Sequence, residues 1–345
     1  MRTTTRLAFI STASVAMLAL AGCSGGTADP DSTGDAAENV APTTMKLALN
    51  QTEEHPSFIA LEGFGECLTE GTDGRWNVEV YPNSTLGDQA EYVQSVGDGV
   101  IDLAIVSAPQ LENLSKDFVI FSVPTVFESI EHQMQVLADE EIVGDLYTSL
   151  EESNNLTVVG GFTQGARSIY LKDGPAETPD DLAGKKIRVQ ESPVFISMIN
   201  ALGASPTPMA FAEVYTGLQS GVIDGAENNE VSYFTQKHFE VAPYFSYTRH
   251  LIGSDFLISN TDTLSEMSES DREVFDGCWT EAWEQHTDLW TSATEDAIAG
   301  AEAGGATFVE VDEEAYADAL APLLDEFLTT DSQKALYDAI KDSAE

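Results

Sequence analysis

Lys185-Lys186-Ile187-Arg188-Val189-Gln190 opens a run that continues to Asp224-Gly225-Ala226-Glu227-Asn228-Asn229, and this stretch decides the fold. Lys186 and Arg188 share one face of an extended chain and Ile187 and Val189 the other, the alternation of a short strand. Phe195, Ile196, Ile199 and Leu202 follow at helical spacing. Gly203-Ala204-Ser205-Pro206-Thr207-Pro208-Met209-Ala210-Phe211 is a Pro-punctuated turn, and a second helix is predicted over 212–220 with Gly221 as its cap. Val222-Ile223-Asp224-Gly225 reads as another short strand ending in a loop. Strand, helix, turn, helix, strand makes one α/β layer. Its polar residues Arg188, Asn228 and Asn229 fall at strand ends, where open α/β sheets take ligands.

The segment 186–189, Lys-Ile-Arg-Val, and the ordered run 203–229 closely resemble the substrate-binding proteins of tripartite ATP-independent periplasmic (TRAP) transporters. The likeness continues in weaker form from about Met45 to the C-terminal helices. It implies a two-lobed α/β fold of the periplasmic-binding-protein type, with a hinge and a long helix spanning both lobes. It assigns 44–164 with 253–290 to lobe I and 165–252 with 291–345 to lobe II. It implies that Arg188 makes a two-pronged salt bridge to a substrate carboxylate, that Arg167 assists, and that Asn228 and Phe211 complete the contacts. By the same likeness His55 lies in a loop facing the cleft and Glu91 at an acidic position that meets substrate hydroxyls. For both, a local helix-terminal role is the competing reading. The partners implied are a small organic acid and the membrane permease subunits of a TRAP transporter.

Charge sets independent bounds. Fifteen Lys and Arg stand against 59 Asp and Glu, a net of -44. Such a chain cannot neutralise phosphates, so nucleic acid is excluded, as is a surface patch for anionic lipids. A heavily hydrated, salt-tolerant surface is the plain reading. Repulsion of an anionic ligand is screened beyond about 8–10 Å, so local guanidinium groups must supply the attraction. Beyond the first 22 residues the arginines are Arg75, Arg167, Arg188, Arg249 and Arg272, and of these Arg167 and Arg188 lie in apolar, strand-like surroundings. Composition alone favours ordinary structural ion pairs for both, and the resemblance reverses that.

At the N-terminus, Arg2 and Arg6 precede an apolar run of about 15 residues, short for a membrane span of about 20 and typical of an export signal over 1–22. Leu20-Ala21-Gly22-Cys23 resembles a bacterial lipobox, which implies lipid attachment at Cys23 and an extracytoplasmic, lipid-anchored chain. Residues 23–43 are rich in Gly, Ser, Thr, Asp and Pro, a disordered tether.

The remaining patterns fill in the two lobes. Strands are predicted over 45–49, 76–81, 100–106 and 157–162, the last running into Gly165-Ala166-Arg167. Phe275, Trp279, Trp283, His286 and Trp290 form an aromatic stripe on a long helix over 270–300, read as packing along both lobes rather than as a sugar-stacking face. Residues 308–340 read as a strand and amphipathic helices closing the second lobe. Cys67 and Cys278 are either a disulfide or two buried thiols, and spacing does not choose.

No cofactor and no metal are expected: the five histidines lack metal-ligand spacing, and no G-x-S-x-G elbow, Walker loop or dinucleotide fingerprint occurs. Among so many Asp and Glu, pattern leaves a carboxylate pair for glycoside hydrolysis open; the resemblance implies a binding protein, not an enzyme. Asn229 after Asn228, with His55 and Glu91, points to a hydroxyl-rich acid such as a hexuronate or aldonate. The alternatives are a C4-dicarboxylate or sialic acid as ligand, or a lipid-anchored carbohydrate-active enzyme.

Overall fold

The computed structural model describes residues 42–344. The predicted signal peptide, Cys23 and nearly all of the predicted tether lie outside the described residues. One mixed sheet organises the chain. Its strands are β1 (Thr43–Ala48), β2 (Trp76–Tyr81), β3 (Leu103–Ser107), β4 (Leu156–Leu171), β5 (Lys186–Val189), β6 (Ser205–Pro208), β7 (Gly225–Asn228), β8 (Tyr244–Asn260) and β9 (Thr307–Glu310). Their order is β2-β1-β3-β8-β4-β7-β5-β6, with β9 on β8.

Two parallel triplets, β2-β1-β3 and β7-β5-β6, flank the long antiparallel pair β4 and β8. β8 runs beside β3 with its C-terminal part and beside β9 with its N-terminal part, so one strand serves both ends of the molecule. Each end has its own core. Leu47, Leu61, Phe64, Ile105, Phe121 and Leu257 belong to the first, while Ile187, Val189, Phe195, Ile199 and Leu320 belong to a separate cluster at the other end. A two-lobed α/β fold follows directly from this division.

The helix Glu269–Ala303 ties the lobes together. Phe275, Cys278, Trp279 and Ala282 enter the first core, and Ala301 enters a core built on Tyr170, Leu218 and Phe245. The aromatic stripe is therefore packing: Phe162 stacks on His286 with ring centroids 4.1 Å apart. Cys67 and Cys278 form a disulfide that staples this helix to the helix Pro56–Gly71, with Cα atoms 5.7 Å apart.

Three local expectations need correction. The Pro-punctuated segment is in part a strand: β6 pairs in parallel with β5 at the sheet edge, where Pro206 and Pro208 have no ladder to interrupt on their outer side. The strand expected at 222–225 starts where that reading ended, at Gly225, because Gly221 turns the chain with a φ of +75° and leaves Val222 half exposed. The last helix, Asp331–Asp342, does not close the second lobe. It returns to the first, and Ile340 lies fully buried in the first core.

Candidate functional site

The C-terminal ends of β1 and β3 face those of β5 and β7 across a cleft, as the parallel triplets require. The cleft encloses about 620 Å³, mouth included. Asn50, Gln51, Gln89, Ser107 and Gln110 line one wall, and Arg188, Gln190, Met209, Phe211 and Asn228 the other. Gln164 and Arg167, from the middle of β4, form the floor.

Arg188 sits on β5 with only 4% of its surface exposed. Its Nε and Nη2 donate to the Met209 carbonyl oxygen at 2.9 and 2.7 Å, which fixes the fork. The guanidinium lies 5.8 Å from the Phe211 ring centroid. Among the described residues no carboxylate pairs with it, and the remaining N–H groups have no protein partner. Burial pulls its pKa down to about 10, and it remains a cation at neutral pH. A buried, unpaired guanidinium is costly on its own and is relieved by an arriving anion.

Arg167, 1% exposed, is in the opposite situation. Its Nε and Nη2 grip the Glu227 carboxylate at 2.6 and 2.8 Å, and Nη2 also donates to the Glu227 carbonyl at 3.0 Å. Nη1 donates to Gln164 Oε1 at 2.6 Å and to Asn228 Oδ1 at 2.8 Å. All five N–H groups are thus spoken for. Burial would raise the Glu227 carboxyl, but Arg167 and His250, whose Nε2 lies 3.7 Å away, override it and hold the group below its ordinary value. Beneath this pair Gln164 Nε2 donates to Ser107 Oγ at 2.8 Å and to Asp255, so β3, β4 and β8 share one polar knot. Burial pushes the Asp255 carboxyl up.

Asn228 is oriented by these neighbours. Its Oδ1 accepts from Arg167 and, at 2.9 Å, from the Asn229 backbone N–H. Its Nδ2 has no protein partner among the described residues, and the residue lines the cleft. The amide therefore presents donors to whatever the cleft holds.

Arg188, Arg167, Asn228 and Phe211 are thus brought together at one cleft. His55, Glu91 and Asn229 are not among its lining residues. His55 caps the helix Pro56–Gly71, its Nδ1 accepting from Ser57 N at 3.1 Å, and burial drops its pKa to about 3. Glu91 completes the capping box of the helix Gln89–Gly97 by accepting from the Asp88 backbone N–H. Asn229 caps the helix Glu230–Thr235, accepting from Ser232 N at 2.7 Å. Sequence reasoning missed the amides Asn50, Gln51, Gln89, Gln110, Gln164 and Gln190. Asn50, Gln51, Gln89 and Gln190 share a signal, an amide at or just past a strand or helix boundary, whereas Gln164 lies inside β4 and Gln110 inside the short helix Ala108–Glu112.

A family model described as bacterial extracellular solute-binding protein, family 7, matches residues 47–331. A solute-binding protein of Chromohalobacter salexigens is 34% identical over 275 residues, 79% of this chain and 81% of its own. A TRAP periplasmic solute-binding protein of Anaerococcus prevotii, solved with bound D-glucuronate, superposes with a TM-score of 0.85 at 38% identity, covering 87% of this chain and 98% of its own. One of Xanthobacter autotrophicus, solved with β-D-galacturonate, gives 0.82 at 29% identity, covering 86% and 99%.

Proposed function

Because the chain belongs to the TRAP-transporter family of extracytoplasmic solute-binding proteins, we propose that it captures a hexuronate and delivers it unaltered to a membrane permease. The single observation that carries this reading is the charge of the cleft. Among the described residues Arg188 is its one lining cation without a carboxylate partner, since Glu227 neutralises Arg167, and amides make up most of the remaining polar lining. One free guanidinium suits one carboxylate. A planar fork with three N–H groups still open binds that group in two-pronged fashion, and Phe211 and burial strengthen the pair by excluding water. Asn228 Nδ2 adds a donor to the same carboxylate.

A C4-dicarboxylate would need a second cation and would instead meet Asp88 and Glu191 at the cleft edge. Relatives solved with glucuronate and galacturonate support the same ligand class. Binding without chemistry is part of the proposal. The ligand touches both walls, so it favours the closed arrangement. The flexing points are the register shift in β4 between Thr163 and Ala166, where Gly165 has a φ of +65°, and the facing segment of β8 at Gly253. The lobes so divided are 44–164 with 253–290 and 165–252 with 291–330, the final helix going with the first. Cys23 carries a lipid anchor in this reading, which intact mass of the cell-derived protein checks.

Calorimetry of the purified protein against D-glucuronate, D-galacturonate, succinate, malate and sialic acid tests the proposal. Micromolar or tighter binding of a hexuronate, recovered unchanged, is expected. Preference for a diacid, or turnover of the sugar acid, would sink it.

A further inference from the structure

Three polar atoms of the first-lobe wall are buried without a protein partner among the described residues: Asn50 Oδ1, Gln51 Oε1 and Gln89 Nε2. All three residues line the cleft, and Asn50 and Gln51 are 7% and 6% exposed. The orientation of Gln89 is set by the backbone of β3. Its Oε1 accepts the Ser107 backbone N–H at 3.2 Å, so the other end of the amide must be the NH₂ group. Gln51 Nε2 is engaged with Ser232 Oγ at 3.2 Å, across the lobe boundary, which leaves its carbonyl oxygen as the unmatched end.

We propose that Gln89, with Asn50 and Gln51, is the specificity-determining group that reads the hydroxyls of the ligand at the end away from its carboxylate. The inference rests on the hexuronate reading and deepens it. The wall offers a donor at Gln89, an acceptor at Gln51 and, at Asn50, an amide that no protein contact orients and that can present either end, all neutral. A vicinal pair of hydroxyls matches this set, because each hydroxyl both donates and accepts. A carboxylate does not match it: it has no hydrogen to give, so the Gln51 carbonyl oxygen, fixed by the bond to Ser232, would face its lone pairs unsatisfied. An ammonium satisfies the acceptors and leaves the Gln89 donor stranded. The wall thus selects by hydrogen-bond polarity where the opposite wall selects by charge. A site built to pair with hydroxyls rejects analogues lacking them far more strongly than an apolar pocket discriminates size.

The test uses the purified protein and three variants. Gln89→Glu keeps an oxygen for the Ser107 N–H and places a carboxylate in the first turn of its helix, where a negative charge is favourable, while removing the donor. Gln51→Leu and Asn50→Leu remove the acceptors. Binding of D-glucuronate is expected to weaken at least tenfold in Gln89→Glu and in one or both leucine variants, with melting temperatures of the free proteins preserved. If the unaltered protein binds no hexuronate, the underlying ligand reading fails. If it binds glucuronate and all three variants stay within threefold of it, the hydroxyl-reading role is overturned and the hexuronate reading stands.

Discussion

Along the wall formed by β5, β6 and β7, a guanidinium is buried and left without a counter-ion. Along the wall formed by the ends of β1 and β3, among the residues that line it, amides predominate. The two walls rest on matching parallel triplets, so the fold alone does not explain the difference. Charge placement does. In a chain carrying -44, positive potential has to be conserved at one point, and the second lobe does so twice over, with opposite results. Arg167 is spent on Glu227 and becomes a rigid strut that aims Asn228. Arg188 is held by a backbone carbonyl, which fixes its direction without cancelling its charge.

The contrast between the two arginines is broken most severely at Glu227. Glu227→Ala leaves Arg167 buried without its carboxylate, and removing one partner of a buried pair costs about 3–5 kcal/mol. Denaturant unfolding of the ligand-free protein should show that loss. An unchanged midpoint would mean that Arg167 is not dependent on this pair and is open to bind ligand itself.

Arg188→Lys should do the reverse, sparing the fold and damaging capture. Losing a two-pronged buried contact costs roughly 2–4 kcal/mol, about 30- to 1,000-fold in the dissociation constant. Unfolding of the free protein should stay close to that of the unaltered chain, because Arg188 has no carboxylate partner to lose. A dissociation constant for glucuronate that does not move would place the anchor elsewhere.

How much of this is legible in the sequence depends on how local the cause is. β5 was readable because Ile187 and Val189 alternate with charged residues and both reach the core. β6 was not, because two prolines in four residues carry the signature of a turn, and only its place at the sheet edge makes them tolerable. Arg167 was found at the cleft, but its commitment to Glu227 arises from the β4–β7 pairing, which no spacing along the chain reveals. His55, Glu91 and Asn229 share one reason for lying off the cleft lining. Each stands at a helix start, where nearby backbone N–H groups or the capping residue claim the side chain. Local capping outcompeted the long-range role expected of them. The final helix was assigned to the wrong lobe because an amphipathic pattern shows which face is buried, not which core receives it.

The mildest perturbation is pH, and it acts on the charged wall alone. Burial holds free Arg188 to about 10, well under its ordinary value. The cationic form is the one that binds a carboxylate, so ligand raises this pKa and binding is linked to proton retention. Affinity for glucuronate, whose carboxylate is ionised throughout, should be level from about pH 7 to pH 9. Above about pH 10 the free protein loses the charge and affinity falls about tenfold per unit, roughly 1.4 kcal/mol by pH 11. The linkage has a second consequence for the ligand-free fold: the depressed value means that the charged form is the strained one, so its penalty is present below about pH 10 and fades above it. The amides of the other wall do not titrate, and Gln89→Glu should show the same alkaline slope as the unaltered chain from a weaker baseline. Equal affinity at pH 8 and pH 11 would mean that the guanidinium is better solvated than its burial indicates, and that the charge difference between the walls is correspondingly small.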